Sequence, residues 1–115
     1  MRDSKFTSRE RLEHIIESIN SIELFLKDQT KETFLDNYLT INAVLFQFTV
    51  IGEAIVRVDD TILAKHNYPW YKVRSFRNFI LHEYHAISYG VVWETAKRDL
   101  PDLKQVINKL LKTEF

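Results

Sequence analysis

The chain has 115 residues, 45% of them hydrophobic, with 16 Lys and Arg against 16 Asp and Glu. That is enough for one domain with its own core, and a formal net charge of zero excludes an overall basic field drawing it to nucleic acid or membrane. It contains no cysteine, which excludes a disulfide framework, a zinc–thiolate site and a thiol nucleophile.

Two glycines and two prolines are too few for a fold built on hairpins, and the apolar spacing is helical. The N-terminal "MRDSKFTSRE" has no signal-peptide core, and no apolar run approaches a membrane span. "TSRE", Thr7 to Glu10, matches a capping box. Leu12, Ile15, Ile16, Ile19, Ile22 and Phe25 follow at helical spacing, which predicts a first helix over about residues 8 to 27. "DQTKETF" reads as a short connection with one helical turn. Phe34, Tyr38, Ile41, Leu45, Phe48 and Ile55 mark one face of a long second helix, and Leu39, Phe46, Val50 and Ala54 mark another. A helix apolar on two faces is central in its bundle. Gly52 inside it costs about 1 kcal/mol relative to alanine, so a close approach by another helix or chain is expected there.

"VDDTILAKHNYPW" reads as a loop with a helical turn at Asp60 to Lys65. Pro69 suits the first turn of the next helix, which runs to about Tyr84. A last helical region covers about Ile87 to Lys112, with Pro101 expected to kink or split it. The sum is an all-α bundle of four or five helices, one domain over residues 1–115. A soluble, cytoplasmic protein without a membrane partner is expected.

The most unusual segment is "RNFILHEY", residues 77 to 84. Arg74, Asn78 and His82 recur every fourth residue and share a helix face. Arg77 lies about 140° from His82 around the axis, within reach of the same cleft for a long side chain. Val73, Phe76, Ile80 and Tyr84 are expected to face the bundle. Thr61 to His82 contains no acid but holds Lys65, Lys72, Arg74 and Arg77, a local basic patch. Lys72, Arg74 and Trp70 are candidate RNA contacts, the indole by stacking.

Histidine can act as general acid or base near neutrality. Arginine offers a fixed fork of donors to phosphate oxygens and stabilises charge developing there. Together these suffice for metal-free RNA cleavage by attack of a 2′-hydroxyl on the adjacent phosphate. One histidine is too few for two proton transfers, and a symmetric dimer would present two motifs to one cleft. The plainer reading of an Arg and a His on one helix is a solvated face. His14 and His66 read as surface, and His85 as a supporting group at most. Glu53 reads as an ion-pair anchor for an arginine, and Trp93 as core or interface. No His and carboxylate spacing suggests a metal site, so neither metal nor cofactor is expected.

"RNFILHEY" resembles the R-x4-H-x-Y motif of the HepT-like toxins in the HEPN superfamily. "IGEA" at Ile51 to Ala54, "YPWYKVRSFRN" and "ISYGVVWETAKRDLPDLKQVI" are similar to that family's second helix, its Pro-Trp run and its closing helix. The resemblance covers nearly the whole chain, up to Leu111. It implies an all-helical homodimer and a metal-independent ribonuclease, with tRNA a reasonable substrate class. It implies Arg77 and His82 as the catalytic pair and Asn78 as the polar residue that follows the arginine. It implies an MntA-type nucleotidyltransferase antitoxin as partner, attaching AMP to Tyr84. The alternative class is a non-catalytic substrate- or nucleotide-binding subunit of a minimal nucleotidyltransferase. The intact Arg77, His82 and Tyr84 favour the nuclease.

Overall fold

The computed structural model describes residues 6–115; residues 1–5, part of the stretch read for a signal peptide, lie outside the described residues. Helix α1, Ser8–Leu26, starts at the expected box. The Thr7 hydroxyl accepts from the Glu10 amide at 3.1 Å, and the Glu10 carboxylate accepts from the Thr7 amide at 2.9 Å. The Thr7 amide, and after it the Thr7 hydroxyl donating to the same carboxylate at 3.2 Å, hold the Glu10 carboxyl below its usual pKa. Leu12, Ile15, Ile19, Ile22 and Leu26 form the buried stripe.

The next apolar residues divide between two helices. Helix α2, Lys31–Leu35, is a single capped turn that carries Phe34 into the core with no exposure. Helix α3, Tyr38–Ile55, starts afresh at Asn37, whose side chain accepts from the Thr40 amide at 3.0 Å. Phe34 therefore does not share a helix with Ile41. Helix α3 is central, packed between α1 and the later helix α5, Trp70–His82. Ile41, Val44, Phe48, Ile51 and Ile55 are buried. Its second apolar stripe is open over its first half, Leu39 being 82% exposed and Phe46 63%, while Val50 is half-buried and Ala54 is buried as expected. By length and composition alone α3 could cross a membrane, contrary to the sequence expectation, yet its inner face forms the protein core.

Helix α4, Asp60–Leu63, is the expected turn, capped by Asp59. Helix α5 spans Trp70–His82, with Pro69 one place before its first turn. It ends two residues earlier than expected, and Tyr84 falls in a 3₁₀ turn, Tyr84–Ala86. Helix α6, Tyr89–Glu94, and helix α7, Leu100–Thr113, are joined by a π-helical turn, Thr95–Asp99. Pro101 has no N–H for the Lys97 carbonyl, and its ring clashes there. The chain widens by one residue, the Leu100 amide donating to the Thr95 carbonyl, and the rod continues unbroken. The long rods are thus α1, α3, α5 and α6–α7, with α7 packed on α1, and the described residues include no strand. The all-α expectation holds.

Candidate active site

Arg77 sits where α5 crosses Gly52 of α3. A Cβ built on Gly52 would overlap Cβ and Cγ of Arg77. The approach expected at Gly52 is therefore made by the motif arginine itself. Beyond that crossing the guanidinium is held by α3 and by its own helix. Arg77 Nη2 donates to Glu53 Oε2, and Nη1 donates to Asn78 Oδ1 at 2.7 Å. Its Nε is buried without a hydrogen-bond partner, an arrangement that costs about 1–3 kcal/mol. Glu53 Oε1 meets Arg57 Nη2 at 3.3 Å, just past the end of α3. Two cations thus flank one carboxylate.

His82 is the last residue of α5 and is exposed. Helix α5 stops there, where the Glu83 amide donates to the Phe79 carbonyl at 2.8 Å. Tyr84 is 64% exposed and does not face the bundle as expected, because the helix ends before it. Its ring lies tilted against that of His85, centroids 4.0 Å apart. It borders a cavity of about 300 Å³ together with Tyr38, Asn42, Phe46 and Tyr89. Ile80 is buried, and Val73 and Phe76 pack on the core as predicted.

The basic patch is divided by the fold. Arg74 Nη2 reaches Asp60 Oδ1 at 3.4 Å, so α4 supplies an acid that the local sequence lacks. Lys72 is exposed beside a separate groove of about 310 Å³ lined by Phe48, Phe76 and Leu103. Tyr68 lines the same groove, and burial, then Asp99 and Asp102, pushes its phenol pKa up. Trp70 is 9% exposed, and its indole N–H donates to the Leu63 carbonyl at 2.9 Å. It anchors the α4–α5 connection and leaves no ring face open for a base. Trp93 packs on Phe34 with centroids 5.4 Å apart, as core. His14 is half-buried, edge-on to Phe6 at 4.9 Å, rather than plain surface. His66 is half-buried too, and its carbonyl is 3.4 Å from the Trp70 indole nitrogen. Among the described residues no three His, Asp or Glu side chains gather as a metal site.

The family model described as "Ribonuclease HepT-like" matches residues 15–110. The chain belongs to the HepT-like ribonuclease family. The match includes Arg77, Asn78, His82 and Tyr84. "Probable ribonuclease HepT" of Thermococcus cleftensis is 33% identical over 109 residues, covering 94% of this chain and 99% of its own. "Putative RNase TTE0752" of Caldanaerobacter subterraneus is 28% identical over 109 residues, covering 94% and 97%. In "Gamma-glutamylcyclotransferase and putative RNase MJ0434" of Methanocaldococcus jannaschii the identity is 34% over 102 residues. There the match covers 88% of this chain but only 46% of the longer protein. No solved structure matches the chain. As a HepT-like ribonuclease, the protein is an enzyme acting on RNA.

The sequence marks Glu53 as an ion-pair anchor without naming its partner arginine. The signal was present in "IGEA", a glycine beside an acid on a core helix. What joins Glu53 to Arg77 is the packing of α3 on α5, which is tertiary.

Proposed function

We propose that this HepT-like ribonuclease is the toxin of a toxin–antitoxin pair and cleaves RNA without a metal ion, through Arg77 and His82. The observation that carries the assignment is the guanidinium of Arg77, fixed by Glu53 and Asn78, with an exposed histidine five residues further along the same helix. Arg77 binds a non-bridging phosphate oxygen through its terminal nitrogens and stabilises the charge of the phosphorane. His82 removes the proton of the 2′-hydroxyl as the 2′-oxygen attacks phosphorus. The bond to the 5′-oxygen breaks, leaving a 2′,3′-cyclic phosphate, and a second imidazolium protonates the departing oxygen. A homodimer would place the same histidine of a second copy for that role. Trp70 has no part in such an interface, since its own chain already buries it. Transfer RNA is the substrate class to test first.

Tyr84 is the proposed attachment site for AMP by an MntA-type nucleotidyltransferase antitoxin. Its exposure supports this, because the enzyme must reach the phenol oxygen. AMP two residues from His82 would set an anion against the phosphate site and compete for Arg77.

The test is incubation of the protein with total tRNA in EDTA beside His82→Ala. Cleavage by the wild type alone is expected, with both proteins equally folded; equal cleavage by the two would remove His82 from the mechanism. When each is produced with the antitoxin, intact mass should show AMP on the wild type and none on Tyr84→Phe. AMP carried by Tyr84→Phe would remove Tyr84 from the scheme.

A further inference from the structure

The geometry points to Glu53 as the residue that positions the catalytic arginine. This rests on the ribonuclease reading above and deepens it. Helix α3 contributes two adjacent residues to the crossing. Gly52 admits the stem of Arg77 so closely that a Cβ would overlap it, and Glu53 takes the head. Asn78 holds the guanidinium from the other terminal nitrogen. Because Nε is enclosed, a phosphate can meet Arg77 only at the terminal nitrogens, which carry further N–H groups beyond the two already bonded.

An arginine side chain on an open helix face samples many rotamers, and ordering it costs free energy. Here the stem is confined by α3 and the head by Glu53, so that cost is met by folding before RNA arrives. Glu53 does not repel the incoming phosphate in proportion to its charge, because Arg57 neutralises its other oxygen. Asn78, taken from sequence as a polar follower of the motif arginine, acts here as the second clamp. Its Oδ1 can only accept, so its bond with Arg77 fixes the amide orientation and turns its NH₂ outward.

A merely structural ion pair would change stability and leave turnover per folded molecule intact. A positioning carboxylate acts on kcat. The wild type, Glu53→Ala and Glu53→Gln are compared on one RNA in EDTA, and the Arg77 Nε–H signal is followed by ¹⁵N NMR. In Glu53→Ala kcat should fall about 100-fold, the scale of a misplacement of about 1 Å, with KM little changed. Glu53→Gln keeps an acceptor for Nη2 and should fall between the two. The Arg77 signal should be sharp in the wild type and in Glu53→Gln, and broadened in Glu53→Ala. Should the alanine variant fail to fold, the near-isosteric glutamine carries the test through its own drop in kcat. Wild-type kcat in every folded variant, or one unchanged Arg77 signal in all three, overturns the proposal. If the wild type itself leaves RNA uncut, the ribonuclease reading fails there, while the NMR comparison still decides whether Glu53 fixes Arg77.

Discussion

Helix α3 is packed on two sides by different kinds of seam. Toward α1 it meets apolar side chains: Leu12, Ile15, Ile19 and Ile22 are buried on one helix, Ile41, Val44 and Ile51 on the other. Toward α5, near its C-terminal end, it offers a bare glycine and a carboxylate to an arginine. The core of the first seam is made of many interchangeable apolar contacts, so methyl groups lost from it cost stability in proportion to volume. The second has apolar contacts of its own, such as Phe48 edge-on to Phe76, but at Gly52 it depends on one missing Cβ and one charge. A fold does not need an arginine stem laid on a helix backbone with its Nε unpaired. Such local cost is expected where a side chain is being held for a purpose.

The largest effect expected from the first seam is on stability alone. Ile15 of α1 is fully buried, so Ile15→Ala removes buried methylene groups and leaves a cavity, at a cost of about 2–5 kcal/mol. The urea midpoint should fall accordingly. At low temperature, where the variant is still folded, RNA cleavage per folded molecule should equal the wild type, because Arg77 lies on the other side of α3. A cleavage defect in a fully folded Ile15→Ala protein would mean that the two seams are coupled.

How much of each seam could be read from sequence follows from its physics. The apolar seam was legible because its signals are local: a capping box at Thr7 and Glu10, then a helical apolar period, predicted α1 to within a residue at either end. The all-α class and the position of α5 followed in the same way. The division of the second helix at Asp36 and Asn37 is hidden in the sequence because its apolar pattern continues across the break, while α2 ends on a backbone bond from the Asp36 amide and α3 starts on a single side-chain bond at Asn37. Nothing in "HEYHAI" forbids a helix through Tyr84; the turn there shows only in the backbone. The partners of Arg74 and Arg77 were illegible because both acids come from outside the acid-free stretch. Likewise the open stripe of Leu39 and Phe46 reads, in sequence, like a second buried face.

A smaller loss of stability, joined to a loss of function, should come from the second seam. Gly52→Ala pits two opposing terms against each other. Alanine favours a helix interior over glycine by about 1 kcal/mol. Against that, the new Cβ falls on Cβ and Cγ of Arg77, near the root of the side chain, where no rotamer change clears it. The α3 and α5 backbones must separate, and overpacking of this kind costs about 1–3 kcal/mol. The net loss should be a modest drop in urea midpoint, smaller than for Ile15→Ala. The functional loss should be disproportionate, because moving α5 outward draws the Arg77 guanidinium from Glu53 and leaves the carboxylate to Arg57 alone. Cleavage should therefore fall toward the level of Glu53→Ala, although no functional side chain has been changed. If Gly52→Ala kept both the wild-type midpoint and wild-type cleavage, the crossing would be compliant, and the glycine would need another explanation. A lowered midpoint with full cleavage would mean that Arg77 finds its working position without the close crossing, which would leave Glu53 and Asn78 as the whole of the clamp.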